Sequence, residues 1–533
     1  MASSIAELSA YDAASILASF ERVPSTPAPL PSPHAPPSFW QQTYAGPGAE
    51  QGVRDDRAVQ GQADVAIVGS GITGISALYH LARTLPAPAR LVVLEARDFC
   101  GGATGRNGGH LTPVSALWYS DLAASQAHLS RYLPAPPPGK TREEVWGNDR
   151  GAQTDETVRR MLTLEARTVA ELLALTRGEM AMEKKRARVS KTQEHDIDPQ
   201  LVMQGNWTLA FTQQEEQAYE DALERAKRAG LSDWAKHVRR VDPEEVRTAL
   251  GAREVRAAWS APGSTVHPRR LVALLYHAAR REAAARGIEI EVHTACPVER
   301  IAEQAGPHRV RLATARGELE ARYVVHATNG WASHLAPQLA GPDGIVPTRG
   351  QVVAVRPTQA VDCPQGLLAN DGFEYALVRP LSEEAGAPPP IILGGGREKV
   401  ASAEWGVTDD HTTAPEASTF LRSYLPTLAP EAFGGQAPHA EWTGIMGFTR
   451  SRDPLVGPLL RDSALGGEQA AAVPGQFISA GYSGHGMPRA FSCAEAVAQM
   501  IVAEERGQEW DCPVWFPRCY LTAPPSLLHD GAH

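Results

Sequence analysis

The chain has 533 residues and a formal net charge of −10 at pH 7, from 51 basic and 61 acidic side chains. This length predicts several domain-sized units with a large buried core, and the acidic balance repels phosphate backbones, which argues against a nucleic-acid partner. The sequence shows no apolar run long enough to span a membrane and no secretory signal pattern, so we expect a cytoplasmic protein. Its six scattered cysteines form no CxxC pair, which argues against a disulfide framework or a zinc site, and we expect no metal.

The first 60 residues are predicted to form an N-terminal extension. A short helical pattern at residues 5–17 leads into a proline-rich run from Pro24 to Pro37, a composition that favours extended backbone. Phe39 and Trp40 follow this run and could anchor the extension on the rest of the protein. The sequence does not decide whether the extension docks on the rest of the protein or is disordered.

A dinucleotide-binding pattern begins at Asp64. A short apolar strand, Asp64–Val68, leads into a GxGxxG turn and a helix, and a second strand, Leu91–Leu94, ends in Glu95. The first glycine allows a tight turn, the second lets backbone approach a pyrophosphate at the helix N-terminus, and the third permits close helix–strand packing. Glu95 could accept hydrogen bonds from a ribose diol. The predicted cofactor contacts of the turn are Gly69, Gly71, Ile72, Thr73 and Gly74.

A second glycine-rich stretch, residues 101–109, follows the acidic residue. Because glycine has no Cβ, such backbone can pass against a flat ring system, so the stretch suits a long cofactor that lies extended. A nicotinamide-binding dehydrogenase would leave this stretch unexplained. The predicted contacts here are Ala96, Arg97, Gly102, Ala103, Thr104, Arg106, Asn107, Gly108, Gly109 and His110.

The two motifs resemble those of the flavoprotein family of D-amino-acid oxidase, glycine oxidase and sarcosine oxidase. Within that family, the sequence GATGRNGGH at residues 102–110 resembles gamma-glutamylputrescine oxidase and similar fungal proteins. The resemblance covers roughly residues 60–505. It implies FAD as the cofactor and an α/β fold with an α+β cap, in which a Rossmann-like FAD-binding domain is interleaved with an antiparallel-sheet substrate domain.

The resemblance also suggests a division of the chain. We expect residues 61–180, 260–345 and 440–510 to form the FAD-binding domain, residues 181–259 and 346–439 the substrate domain, and residues 511–533 a C-terminal tail. A basic run at residues 183–188 is predicted to be a solvated loop.

Three later segments are expected to reach the cofactor by the same resemblance. Backbone at Val298 would face the adenine, and the turn after the strand that ends at His326 would lie near the cofactor. A glycine loop follows the strand Phe477–Ala480 and precedes a helix, whose positive N-terminus would stabilise negative charge on the reduced flavin at N1 and the C2 carbonyl. The predicted contacts are Val298, Ala327, Thr328, Asn329, Gly481, Gly484, His485, Gly486 and Met487.

Met446 is a departure from the family pattern. Amino-acid-oxidising relatives carry an arginine there that clamps a substrate carboxylate, and sarcosine oxidase carries there the cysteine that bonds to FAD. Methionine does neither, so we expect non-covalent FAD and doubt a simple α-amino acid substrate. Arg450 and Arg452 could form a displaced clamp or simply be surface charges, and His110 offers an alternative flavin link. Ile392 stands where sarcosine oxidase has an oxygen-activating lysine, so the electron acceptor is open.

These observations predict a flavoenzyme that oxidises a C–N bond of a small-molecule primary or secondary amine. Hydride would pass to flavin N5, the imine would hydrolyse, and oxygen or another acceptor would reoxidise the flavin. The alternatives are an α-amino acid oxidase of the D-amino acid, glycine or sarcosine type, and a redox-inactive FAD-binding protein. The oligomeric state is open. The candidate catalytic residues are His485, Tyr482, Met446 and Trp442.

Overall fold

The structure is a computed structural model that describes residues 4–48, 51–125, 150–190, 198–382, 384–466 and 471–523. Its strands are β1 Val53–Arg54, β2 Gln62–Val68, β3 Ala89–Leu94, β4 Asn206–Ala210, β5 Arg239–Val241, β6 Ala257–Ala261, β7 Ile288–His293, β8 Val298–Glu303, β9 Val310–Thr314, β10 Gly317–His326, β11 Val346–Val355, β12 Gly366–Ala369, β13 Glu374–Val378, β14 Ile391–Gly394, β15 Ala440–Phe448, β16 Leu455–Leu460 and β17 Ala472–Ala480. Its α-helices are α1 Ile5–Ser9, α2 Ala13–Phe20, α3 Phe39–Thr43, α4 Ile72–Thr84, α5 Tyr119–Ser125, α6 Arg150–Ser190, α7 Gln213–Arg228, α8 Ser232–Ala235, α9 Pro243–Leu250, α10 Pro268–Arg286, α11 Ala332–Leu335, α12 Pro415–Leu428, α13 Pro430–Phe433 and α14 Ala490–Glu505.

The first sheet has the strand order β1-β7-β3-β2-β10-β17-β16, with β9 also on β10 and β8 on β9. Its central neighbours β7, β3, β2, β10 and β17 run parallel. Side chains alternate along β2 because successive residues point to opposite faces. Val65 and Ile67 join the core beneath helices α4, α10 and α14. Ala66 and Val68 join the core beneath the β8–β9 hairpin. Both faces are therefore buried, as a parallel sheet requires.

The second sheet has the strand order β15-β11-β14-β13-β12-β4-β6-β5. All its neighbours are antiparallel except β12 and β4. Helix α12 packs on one face through an apolar cluster that includes Phe420 and Leu421. Strands β13 and β14 form a hairpin whose connection includes residues 386–390. The expected α/β class with two interleaved sheets is confirmed, whereas the exact domain limits stay a prediction.

The N-terminal extension docks along the body wherever it is described. Trp40 is fully buried, and its indole Nε1 donates to the Asn107 carbonyl. The Ser38 hydroxyl donates to the Gly105 carbonyl, so two residues of the second glycine stretch hold the end of the proline-rich run. Of the two alternatives left by the sequence, the structure shows docking.

One local prediction is wrong. The basic run at residues 183–188 is not a loop, since it lies inside helix α6, Arg150–Ser190. Lysine, arginine, glutamate and alanine all have high helix propensity, which explains why this polar run continues the helix. No helix in the described residues is long and apolar enough to cross a membrane. All six cysteines are free, and no group of metal-binding side chains occurs within the described ranges.

Anchoring of the extension by the buried indole gives a first prediction. We expect Trp40→Ala to leave a cavity worth about 3–5 kcal/mol and to loosen the extension, so that protease cleaves the proline-rich run faster. Leu17 lies in the same extension but is 60% exposed, so Leu17→Ala is the matched control. Limited proteolysis followed by mass spectrometry measures both rates. Equal cleavage rates in the two variants would contradict the anchoring role.

His326, at the end of β10, gives a second prediction, which concerns the pH dependence of folding stability. Complete burial lowers the pKa of His326 from 6.5 to about 4, against the opposing effect of its hydrogen bond with Gln476. Below pH 6.5 the unfolded chain therefore binds more protons than the folded chain, and roughly 3 kcal/mol of stability is lost as the pH falls to about 4. We expect the melting midpoint of the wild type to fall more between pH 7 and pH 5 than that of His326→Gln. Parallel thermal melts test this, and identical drops would refute it.

Candidate cofactor and substrate cavity

A cavity of about 690 Å³ lies between the two sheets. It extends from the glycine turn after β2 to strands β11, β13 and β15 of the second sheet. The predicted cofactor contacts that line it are Gly69, Gly71, Ile72, Thr73, Glu95, Ala96, Arg97, Gly102, Ala103, Thr104, Arg106, Asn107, Gly108, His110, Val298, Ala327, Thr328, Asn329, Gly484, His485, Gly486 and Met487. Gly74, Gly109 and Gly481 do not line it. Segments far apart in sequence thus meet on one cavity.

The glycine turn places the N-terminus of α4 against the cavity. Gly69 has a φ of +111°, and a Cβ there would lie 2.6 Å from the Ala327 carbonyl oxygen. A Cβ on Gly74 would lie 1.9 Å from the Gly69 carbonyl oxygen, so only glycine allows the helix to approach the turn this closely. Gly71 is the N-cap and offers no side-chain cap. The Ile72 amide donates to the Thr104 hydroxyl at 3.1 Å, and the positive end of the helix dipole faces the cavity, where it favours an anion.

Glu95 at the end of β3 holds the glycine turn in shape. Its carboxylate accepts hydrogen bonds from the Ser70 amide and hydroxyl, each at 2.8 Å, and from the Arg97 amide at 3.0 Å. The side chain still borders the cavity. Glu95 thus fixes the shape of the turn at the edge of the cavity, and its contact with a ribose stays a prediction.

Arg97 and Arg106 converge on one carboxylate. Arg97 forms a bidentate pair with Asp410, at 2.7 and 2.8 Å, and its guanidinium lies 5.1 Å from the ring centre of Trp331. Arg106 lies 3.8 Å from Asp410 and donates to the carbonyls of Thr443 and Pro36. These side chains are committed to protein partners, so they brace the cavity wall and contribute mainly shape to it.

The loop before α14 forms the opposite wall. The Gly481 amide donates to the Asn329 side chain, which ties the loop to the turn after β10. The Tyr482 hydroxyl lies between Ser479, at 2.7 Å, and Thr73, at 3.2 Å. Ser483 has a φ of 51°, and this tight turn directs the next residues toward the cavity. A turn at residues 487–489 borders the cavity and leads into α14 at Ala490, so the N-terminal ends of α4 and α14 both lie at one cavity.

His485 borders the cavity next to a buried ion pair. Arg489 donates to Glu165 at 2.6 Å, with both side chains buried. The surrounding protein and, secondarily, the Arg489 charge lower the pKa of His485 below 6.5. The imidazole is therefore mainly neutral at pH 7, and it can donate or accept a hydrogen bond there.

The candidate catalytic residues are not all brought together. His485, Tyr482 and Met446 line the cavity, whereas Trp442 does not. The Trp442 indole donates to the Arg106 carbonyl and lies nearly parallel to Phe39, with ring centres 6.5 Å apart. Trp442 thus supports the second glycine stretch from behind.

His110, Arg450 and Arg452 were further candidates from the sequence, and they differ in their positions relative to the cavity. His110 lines the cavity, and burial lowers its pKa to about 4. Arg450 forms surface ion pairs with Glu21 and Asp343. Arg452 borders the cavity and is exposed. Of the two candidate clamp residues, only Arg452 is therefore placed near a ligand.

Several cavity residues were missed by the sequence analysis. The N-terminal extension contributes Tyr11, Ala13, Leu30 and Pro31. No local pattern marks these residues, because their places depend on contacts hundreds of positions apart. Arg397 also lines the cavity. The sequence did contain a pattern that could have indicated Arg397. A charged residue directly after three glycines, Gly394–Gly396, is typical of a backbone turn that presents a side chain to a ligand.

Comparison with known proteins identifies the family. The model of the FAD dependent oxidoreductase family (DAO) matches residues 64–500. The chain belongs to this family. A curated relative, the "probable oxidoreductase OrdL" of Rhizobium meliloti (strain 1021), is 24% identical over 446 residues, covering 83% of this chain and 84% of that protein.

Solved structures of this FAD-dependent family share the fold. Glycine oxidase from Geobacillus kaustophilus matches with a TM-score of 0.57 at 18% identity, covering 86% of this chain and 98% of that chain. Iminodiacetate oxidase from Chelativorans sp. BNC1 matches with a TM-score of 0.53 at 18% identity, covering 86% and 99%. L-proline dehydrogenase from P. horikoshii matches with a TM-score of 0.54 at 17% identity, covering 84% and 100%.

The cavity fits the FAD on which this family depends. A Cβ on Gly71 would lie 3.1 Å from the Thr104 hydroxyl, so the missing side chain leaves a narrow passage between the two glycine motifs. Gly102 has no atom within 4 Å of its Cβ position and borders the cavity. The positive N-terminal end of α4 suits a pyrophosphate, and that of α14 suits an electron-rich ring edge.

The contact between Gly74 and Gly69 gives a third prediction. We expect Gly74→Ala to displace α4 and to purify with little or no FAD, because its methyl group would overlap a backbone oxygen. Gly178→Ala, also inside a helix, is the control, since nothing lies within 4 Å of its Cβ position. Alanine there should keep FAD and add up to about 1 kcal/mol of stability. The ratio of flavin to protein absorbance after gel filtration measures both, and full FAD content in Gly74→Ala would contradict the prediction.

Proposed function

We propose that the protein oxidises a C–N bond of a primary or secondary amine. Bound FAD supplies the hydride acceptor for this chemistry. The observation that carries the proposal is the continuity of the cavity, which joins both glycine motifs and the α14 N-terminus to a chamber walled by the second sheet. The names of the structural neighbours, a glycine oxidase, an iminodiacetate oxidase and a proline dehydrogenase, all describe substrates with an oxidisable C–N bond.

The chain's own residues would serve this reaction by position and electrostatics. The α14 N-terminus offers positive potential where negative charge develops on electron transfer. His485, mainly neutral at pH 7, is placed to orient a substrate amine or a cofactor carbonyl by a hydrogen bond. Tyr482 is engaged with Ser479 and Thr73, so we assign it to loop positioning.

The substrate end of the cavity is aromatic. Tyr375 and Phe448 line it beside Met446. Such rings suit the apolar part of an amine and exclude water that would compete for hydrogen bonds. An amine that binds in its neutral form needs no strong base, since its own lone pair assists loss of hydride from the adjacent carbon. The resulting iminium then loses a proton, and hydrolysis gives a carbonyl compound and the remaining amine or ammonia.

Non-covalent binding of FAD is part of the proposal. Among the described residues that line the cavity there is no cysteine, and Met446 has no nucleophilic group for a flavin link. Acid precipitation tests this point, because non-covalent flavin moves to the supernatant. A yellow pellet would instead indicate a covalent bond, with His110 as the candidate.

Anaerobic reduction tests the proposed function directly. We expect the 450 nm flavin band of the purified holoenzyme to bleach with an accepted amine. The matched control is an amine without a hydrogen on the carbon next to nitrogen, so benzylamine is compared with cumylamine and butylamine with tert-butylamine. Bleaching should require that hydrogen. A holoenzyme that is reduced by dithionite but by no amine or amino acid of a broad panel would favour the redox-inactive alternative.

A further inference from the structure

Arg397 stands out among the charged side chains of the cavity. It begins a short turn just after β14, and its guanidinium is surrounded by three aromatic rings. The distances from its central carbon to the ring centres are 4.8 Å for Phe373, 4.5 Å for Trp405 and 5.0 Å for Phe448. The rings hold the planar group in place by cation–π attraction and leave its N–H edges for other partners.

Those N–H edges have few protein partners. In the part of the chain that the structure describes, Arg397 forms no ion pair within 4.0 Å, and its hydrogen bond to the Ala403 carbonyl is long at 3.4 Å. By contrast, Arg97 and Arg489 in the same cavity wall each form a close ion pair. An arginine carries five donors, so this single long hydrogen bond leaves the guanidinium with donors for a ligand that enters the cavity it lines.

The charge of Arg397 is retained despite this environment. Burial lowers its pKa to about 10, which still leaves the guanidinium protonated at pH 7. The adjacent Glu398 partly opposes this shift but forms no close ion pair with Arg397, so an anionic ligand would relieve the cost of the partly desolvated cation. The site therefore gains stability from an anion that enters from the cavity.

The position of Arg397 separates this anion from the cofactor phosphates. The amides that suit a pyrophosphate belong to α4 on the first sheet. Arg397 follows a strand of the second sheet and shares the cavity wall with Met446, Tyr375 and Phe448. This is the end of the cavity that we assign to the amine substrate. Met446 on β15 stands where amino-acid-oxidising relatives carry an arginine that binds the substrate carboxylate. Arg397 supplies a positive charge beside this position.

We propose that Arg397 binds a carboxylate on the amine substrate through a charge-assisted, bidentate pair. This inference rests on the proposed function and deepens it, because it narrows the substrate class to amines that also carry a carboxylate. A planar guanidinium and a planar carboxylate match in two parallel hydrogen bonds, which also fixes the direction of the amine relative to the cofactor.

Binding of a probe to the oxidised holoenzyme tests the anion site without turnover. Benzoate and benzamide have nearly the same shape, but only benzoate is charged at pH 7. We expect benzoate to perturb the flavin absorbance and to bind about tenfold to a hundredfold more tightly than benzamide, as a hydrogen-bonded charge pair provides. Equal affinities in the wild type, or no binding of benzoate at all, would overturn the inference without any variant.

Substitution of Arg397 tests whether this residue causes the preference for benzoate over benzamide. Arg397→Gln should lose the preference for benzoate over benzamide, and Arg397→Lys should restore part of it, because lysine keeps the charge without the fork. The control is Arg461→Gln, since Arg461 pairs with Glu303 on the surface. Each variant is compared at equal FAD content. A wild-type preference that persists in Arg397→Gln would show that another group binds the anion.

Paired amines separate this inference from the proposed function. Phenylglycine is compared with benzylamine, and 4-aminobutyrate with butylamine, by anaerobic flavin reduction. We expect the carboxylate member of at least one pair to react about tenfold faster or more in the wild type and to lose that advantage in Arg397→Gln. Bleaching by amines without any carboxylate advantage overturns the role of Arg397 and leaves the function. Selective benzoate binding without bleaching by any amine overturns the function and leaves the anion site.

Discussion

One buried carboxylate joins the parts of this molecule. Asp410 comes from the loop between β14 and α12, on the second sheet, and is almost fully buried. It pairs with Arg97, which follows β3 on the first sheet, and lies near Arg106 of the second glycine stretch. Arg106 in turn donates to Gln41 and Pro36 of the N-terminal extension. Removing such a carboxylate would leave two buried cations uncompensated, which typically costs several kcal/mol. The cavity exists between the two sheets because this cluster holds them together.

The electrostatic potential differs between the two sides of the cavity. Two helices on the first sheet, α4 and α14, direct their positive N-terminal ends toward it. The second sheet contributes Tyr375, Met446 and Phe448 to the other side, and Arg397 follows its strand β14. A cofactor rich in phosphate and carbonyl oxygen is therefore suited to one side, and an organic substrate to the other.

The sequence predicted what is local and missed what is not. The glycine turn at Gly69–Gly74, the strands around it and Glu95 follow from neighbours within about 30 positions, so a single sequence contains the whole argument. Trp442 was expected at the site because it is aromatic and close in sequence to Met446. Alternation along β15 places Trp442 on the same face as Met446 and Phe448. Its indole nevertheless packs against the Arg106 carbonyl and Phe39 and does not line the cavity. Tyr11 and Arg397 reach the cavity only through long-range packing, which no periodicity records. The basic run in α6 was assigned by charge alone, although its helix propensity pointed the other way.

Docking of the N-terminal extension has a consequence for biosynthesis. Ser38 contacts a residue 67 positions later, but the Asn370 side-chain amide donates to the Ser9 carbonyl across 361 positions, and the Lys399 ammonium donates to the Ala10 carbonyl across 389. The extension therefore cannot complete these contacts until the chain has been synthesised as far as Lys399. Its many prolines lack the N–H groups that pair neighbouring strands, so the run is poorly suited to form a sheet with other nascent chains before it docks. These contacts thus form only after strands β11–β14 of the second sheet have been made.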